Sequence, residues 1–177
     1  MLVYPDFLTE GEEQSLYKEV DKYVKRMRYE YDHWDDAIHG YKETEFSRWS
    51  DSNKQIIQRV RDVAFPPGVQ QLPLVHVIDL ADNGYIKPHI DSVKFCGNII
   101  TGLSLLSSSI MRLVHDKNKE LKIDILLKPR SLYVMRDAAR FDYTHEILPD
   151  SESYFKGRHV PRARRISIMC RNEVVNQ

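Results

Sequence analysis

The sequence predicts a mostly β fold with flanking helices, an antiparallel sandwich or barrel. Two observations carry this expectation. Two amphipathic helical segments lie before residue 66, and six short β-rich runs follow from Leu72 onward. Turn or polar residues separate most of these runs, and no helices alternate with them, which argues against a doubly wound parallel sheet.

The first segment, "FLTEGEEQSLYKEVDKYVKRMR", reads as the best helix. Thr9 and Glu12 form a capping-box pattern, and Leu16, Val20, Tyr23, Val24 and Met27 share one face. Residues 29–52 are aromatic, acidic and irregular, and read as a loop or short hairpin. "NKQIIQRVRDVAF" predicts a second helix, stopped by Pro66-Pro67-Gly68. The β-rich runs are "LPLVHVIDL", "NIITGLSLLS", "IMRLVHD", "LKIDILLK", "SLYVMRD" and "RRISIMCR". "DKNKE" (116–120) reads as a hairpin connection and Pro129-Arg130 as a turn. No repeat or low-complexity linker divides the chain, so residues 1–177 are expected to form a single domain.

The 177 residues and 42% hydrophobic content suit one real core. Twenty-six basic and 26 acidic side chains cancel, so bulk charge gives no support to a dedicated nucleic-acid binder. A local basic patch remains a candidate in "RHVPRARR" (158–165). Two distant cysteines, Cys96 and Cys170, make neither a disulfide framework nor a zinc finger. No apolar run reaches the roughly 20 residues of a membrane span. The acidic N-terminus does not read as a transit peptide, so the chain is expected to begin directly with folded domain.

The chemistry is carried by scattered residues. In "PHIDS", His89 and Asp91 lie two apart and point the same way if the segment is extended. Pro88 favours that extension. His145, in "YTHEIL", is placed to add a third ligand. Two imidazoles and a carboxylate hold Fe(II) on one face and leave the other open. His33, His39, His76, His115 and His159 are poorer candidates, with packed, exposed or adventitious readings.

In "RRISIMCR" the residues alternate. Arg165, Ser167, Met169 and Arg171 share one face; Ile166, Ile168 and Cys170 share the other. The two guanidiniums lie about 20 Å apart along a strand, so one small carboxylate cannot engage both. Arg165 is expected to grip the carboxylate of a keto acid by a two-pronged hydrogen bond, with Arg171 nearer the metal. Tyr133 is a second candidate donor, with Leu132 and Val134 turned away.

These residues, in this order, resemble the AlkB family of Fe(II)/2-oxoglutarate dioxygenases: an H-x-D pair, a distal His, then Arg-x5-Arg. "GYIKPHIDSVKFCG", "GLSLLS", "MRLVH", "SLYVMR", "THEIL" and "RRISIMCR" are similar to a mitochondrial branch of that family. The resemblance implies a double-stranded β-helix (jelly roll) with the N-terminal helices packed on one sheet. It implies Fe(II) held by His89, Asp91 and His145. It implies 2-oxoglutarate contacts from Tyr133, Arg165, Ile166, Ser167 and Arg171, with molecular oxygen as the other cosubstrate. By resemblance the protein is a monomer of the mitochondrial matrix, in a branch linked to alkylation-induced programmed necrosis and fatty-acid metabolism. Its substrate would be a macromolecule, either a protein or a structured RNA.

The chain also departs from the family. Many members carry an Asn-x-Tyr pair before the H-x-D, where Ile78 and Leu80 stand here. Asn83-Gly84 is expected to supply the turn instead. Fewer than fifty residues separate the first helix from Leu72, which leaves little room for a base-gripping lid. The competing readings are a zinc hydrolase on the same ligands, a non-catalytic jelly-roll binding module, and a nucleic-acid alkylation-repair demethylase. The Arg165 pocket argues against the hydrolase, the intact ligand set against the relic, and the small lid with zero net charge against duplex repair.

Overall fold

The computed structural model describes residues 1–175. Its strands are β1 (Leu2–Tyr4), β2 (Ile38–Phe46), β3 (Val75–His89), β4 (Ile99–Leu105), β5 (Ser109–His115), β6 (Lys122–Leu127), β7 (Ser131–Arg136), β8 (Tyr143–Ile147), β9 (Tyr154–Phe155), β10 (Arg158–His159) and β11 (Arg165–Arg171). The helices are α1 (Glu10–Val24), α2 (Asp51–Ala64) and a short α3 (Ala138–Phe141). The long sheet runs β1-β7-β4-β11-β3-β8-β5-β6, with β2 also paired to β3, and every pairing is antiparallel. This is the nearly closed, jelly-roll-like β architecture that the sequence led us to expect.

β3 is the hinge of this arrangement. Its first half pairs with β11 and its far end with β8, so one 15-residue strand serves both sheet layers. Period-2 alternation then sorts the side chains. Val75 and Val77, Leu103 and Leu105, Leu132 and Val134, and Ile166, Ile168 and Cys170 face the helices. Ile78, Leu80, Tyr133 and Met169 face the opposite layer, where Met111, Leu127 and Ile147 meet them.

α1 begins as its sequence requires. The Thr9 hydroxyl accepts from the Glu12 amide at 3.1 Å, and the Glu12 carboxylate accepts from the Thr9 amide at 2.9 Å. Leu16, Val20 and Val24 are fully buried on the sheet, each contributing about 1.5–3 kcal/mol. The helix stops at Val24, so Met27 lies beyond it, and Tyr23 stays 60% exposed. α2 buries Ile56, Ile57, Val60 and Ala64 in the same layer.

Two expectations fail here. Residues 38–46 are a nine-residue strand, not a loop, and pair with β3 along its length. Their alternation is hidden because both faces carry a polar residue: Glu43 lines a cavity, and Lys42, on the other face, lies over the Tyr29 ring at 4.4 Å. Nor is Asn83-Gly84 a turn, because β3 continues through it. Gly84 is there for close approach. A Cβ would meet the Gly40 carbonyl oxygen at 2.5 Å and that of His39 at 2.9 Å, at the bulge where β2 crosses. Both cysteines are free and buried.

Candidate metal and cosubstrate site

His89 ends β3 and stands directly opposite His145 on β8. An antiparallel cross-strand pair brings side chains together, and the two rings lie 4.3 Å apart. Asp91 follows just beyond the strand. Its Oδ1 is 3.1 Å from His89 Nε2 and 3.7 Å from His145 Nε2. One ligand atom from each of the three lies within 4.8 Å of the others, so a single ion can be shared. The Lys87 carbonyl sits 2.9 Å from His89 Nδ1. A carbonyl only accepts, so Nδ1 carries a hydrogen, and Nε2, which faces Asp91, is the atom left to serve as ligand.

The electrostatics suit metal binding. Burial holds His145 down to about 4, helped by the charge of His89, so its imidazole is neutral at pH 7. Burial would raise the Asp91 carboxyl, but the His89 hydrogen bond and the surrounding positive charge, that of Arg171 included, outweigh it and hold it well below the usual range. Burial likewise disfavours a charged His89, yet Asp91 prevails and raises it.

A cavity of about 440 Å³ opens over this cluster. From β11 it takes the predicted face, Arg165, Ser167, Met169 and Arg171; from β7 it takes Tyr133. Arg165 is 2% exposed, and its Nε donates to Ser104 Oγ at 3.0 Å. Its Nη2 is buried with no partner, as is Nε of Arg171. Such orphaned donors are costly and uncommon, and a ligand dicarboxylate fits them. Arg171 lies toward the metal end, its Nε 3.9 Å from Asp91 Oδ2. Tyr133 is pressed against Gly102, where a Cβ would meet its ring and hydroxyl at 2.7 Å.

One predicted contact is not brought to the cavity. The Ile166 side chain packs in the helix-facing core, because it alternates with Arg165 and Ser167. The basic-patch candidate also dissolves. Arg164 pairs with Asp79 and Asp21, Arg162 is buried against the Gly84 and Leu148 carbonyls, and Arg165 turns into the cavity. Sequence reasoning passed over Glu43 and His76, which line the cavity wall, since only the β2–β3 register brings them there.

The comparisons agree with this geometry. A family model described as the 2OG-Fe(II) oxygenase superfamily matches residues 12–171. The chain belongs to that superfamily. A curated relative from Mus musculus, "Alpha-ketoglutarate-dependent dioxygenase alkB homolog 7, mitochondrial", is 56% identical over 171 residues, covering 97% of this chain and 77% of the relative. Its counterpart from Bos taurus is 54% identical over the same shares. Among solved structures, a Pseudomonas putida prolyl-4-hydroxylase superposes with TM-score 0.68 at 12% identity, covering 99% of this chain and 92% of that one. OsALKBH1 superposes with TM-score 0.67 at 11% identity, covering 96% of each. These two show the shared fold. As an oxygenase of this superfamily, the chain is an enzyme that uses Fe(II), 2-oxoglutarate and molecular oxygen. No helix among the described residues is long and apolar enough to cross a membrane.

Proposed function

We propose that His89, Asp91 and His145 hold Fe(II), and that Arg165 and Tyr133 grip the distal carboxylate of 2-oxoglutarate. The observation that carries this is the buried, partnerless Nη2 of Arg165 in the same cavity as the three ligands. A non-catalytic module has no need of a fully buried cation without a counter-charge. Ser167 would add a hydroxyl beside Tyr133, and Arg171 would balance the Asp91 carboxylate. When bound, Fe(II) with 2-oxoglutarate and oxygen supplies the oxidation: one oxygen atom enters a substrate C–H bond, the other ends in succinate, and CO₂ leaves. The chain itself orients the keto acid along β11 and excludes water from its carboxylate. Residues 1–177 would act as one domain and as a monomer.

The substrate we infer is a macromolecule, a protein or a structured mitochondrial RNA, that presents its own exposed group. Trp34 (88% exposed) and Phe95 (75% exposed) line the cavity and stay open to solvent. With zero net charge and "RHVPRARR" largely turned inward, duplex repair is less well supported. A mitochondrial location is supported by the names of the two relatives; the matrix, programmed necrosis and fatty-acid metabolism are proposed from the resemblance of the sequence motifs alone. The test is succinate formation from Fe(II), 2-oxoglutarate and oxygen, with His89→Ala as control. A chain that binds iron but yields no succinate, with or without candidate proteins and RNAs, sinks the reading. Formaldehyde release marks demethylation; an oxygen retained on the product marks hydroxylation.

A further inference from the structure

Behind the proposed ligands runs an unbroken line of polar contacts. Arg171 Nη2 lies 2.8 Å from His76 Nδ1. His76 Nε2 lies 3.1 Å from Glu43 Oε2, and Glu43 Oε1 lies 3.3 Å from His33 Nε2. His33 Nδ1 meets Asp35 Oδ1, which also accepts from the Ala37 amide at 3.0 Å. The line crosses three neighbouring strands, β11, β3 and β2, and ends in the segment that carries Trp34 at the cavity mouth.

The chemistry of each group sets the direction of the bonds. A guanidinium only donates, so His76 Nδ1 must accept, and the ring proton sits on Nε2. That proton is donated to Glu43. These two bonds hold the His76 ring in one orientation between Arg171 and Glu43. Among the described residues, His76 is the one hydrogen-bond partner of the Arg171 side chain. The Arg171–Asp91 approach at 3.9 Å is too long for a hydrogen bond. Asp91 alone therefore does not set where the Arg171 charge lies.

We propose that His76 and Glu43 are positioning residues of the iron centre, which fix the Arg171 guanidinium beside Asp91 and join it to the mouth segment 33–37. This rests on the proposed iron site. The line offers a physical route by which a substrate pressing on Trp34 alters the ligand carboxylate. Outer partners of metal ligands typically change metal affinity by roughly 10- to 100-fold when removed.

The test is anaerobic calorimetry on the full chain, titrating Mn(II) and then 2-oxoglutarate, together with the charge-transfer band of the Fe(II)–2-oxoglutarate complex. His76→Leu should weaken Mn(II) binding about tenfold and displace the band. Glu43→Ala should do the same in part. Glu43→Gln should restore near wild-type values, because its amide oxygen still accepts from His76. The Glu43→Ala/His76→Leu double variant should be no worse than His76→Leu, since both act through one line. Affinities and band unchanged in folded Glu43→Ala and His76→Leu, or losses that add in the double variant, overturn the proposal. If Glu43→Ala does not fold, His76→Asn against His76→Leu decides. The Asn amide oxygen can still accept from Arg171, so equal losses in the two overturn the proposal and a milder loss in Asn upholds it. Wild-type protein that takes up no Mn(II) overturns the iron site itself, and this inference with it.

Discussion

Replacing Arg165 with methionine should sharply weaken cosubstrate binding without harming the fold. Arg165 is 2% exposed and, among the described residues, has no carboxylate partner and donates only from Nε to Ser104. Burial pushes its pKa down, a sign that the charged form is held against a desolvation cost. In Arg165→Met, 2-oxoglutarate loses the partner of a buried carboxylate, a loss of about 2–5 kcal/mol. At about 1.4 kcal/mol per decade, affinity falls roughly 30- to 3,000-fold. Without cosubstrate the balance differs. The variant forfeits one hydrogen bond from a charged donor, about 1.5–3 kcal/mol. It also removes a buried, uncompensated charge whose desolvation costs several kcal/mol. Thermal melts with Mn(II), with and without 2-oxoglutarate, read both effects. Wild type with cosubstrate at about a hundred times its Kd gains about 2.7 kcal/mol, or about 5–11 °C for a chain of this size. The variant should show no such gain, and its cosubstrate-free melting temperature should match or exceed that of wild type. A wild-type-sized shift in Arg165→Met, or a marked fall in its cosubstrate-free stability, would refute the reasoning.

Three other outcomes are expected. Gly102→Ala should push the Tyr133 ring from its seat and cost about 1–3 kcal/mol by overpacking, while 2-oxoglutarate binding weakens; unchanged cosubstrate affinity in calorimetry removes Tyr133 from the grip. Arg164→Met should destabilise the chain by about 3–5 kcal/mol, because fully buried Asp79 loses bonds of 3.0 and 2.7 Å and keeps only Tyr29; a loss below 1 kcal/mol in urea titration contradicts this. The metal-free protein should lose stability between pH 6.5 and about 4. Burial and the charge of His89 hold folded His145 below its ordinary value of 6.5, so its contribution is complete above 6.5 and drains as pH falls toward 4. The span corresponds to at most about 3 kcal/mol. His89, raised by Asp91, makes its gain above pH 6.5, and that gain is already complete across this window, so it leaves the slope to His145. His145→Asn should flatten the profile, and identical slopes in the two proteins would count against the assignment.

Much of the site was legible as local pattern. The period-2 face of residues 165–171 placed Arg165, Ser167, Met169 and Arg171 together, and the structure puts all four on the cavity. It also turned Ile166 into the core, against the contact that resemblance implied. The capping box at Thr9 spans only four residues, Thr9 to Glu12, and is intact. β2 was missed because polar residues, Lys42 and Glu43 among them, break the apolar alternation on both faces. Gly84 was misread because a glycine chosen for close backbone approach looks the same in sequence as one chosen for a turn.

The sequence by itself therefore determined the β-rich class, the two helices, the identities of His89, Asp91 and His145, and the polar face of β11. Each of these depends on short-range periodicity or on residue chemistry. Only the tertiary structure decided that His89 pairs with His145, that Arg165 Nη2 has no partner among the described residues, and that Glu43 and His76 stand behind Arg171. Those facts depend on register between strands far apart in the chain, and register is set by the packing of whole layers rather than by any local run of residues.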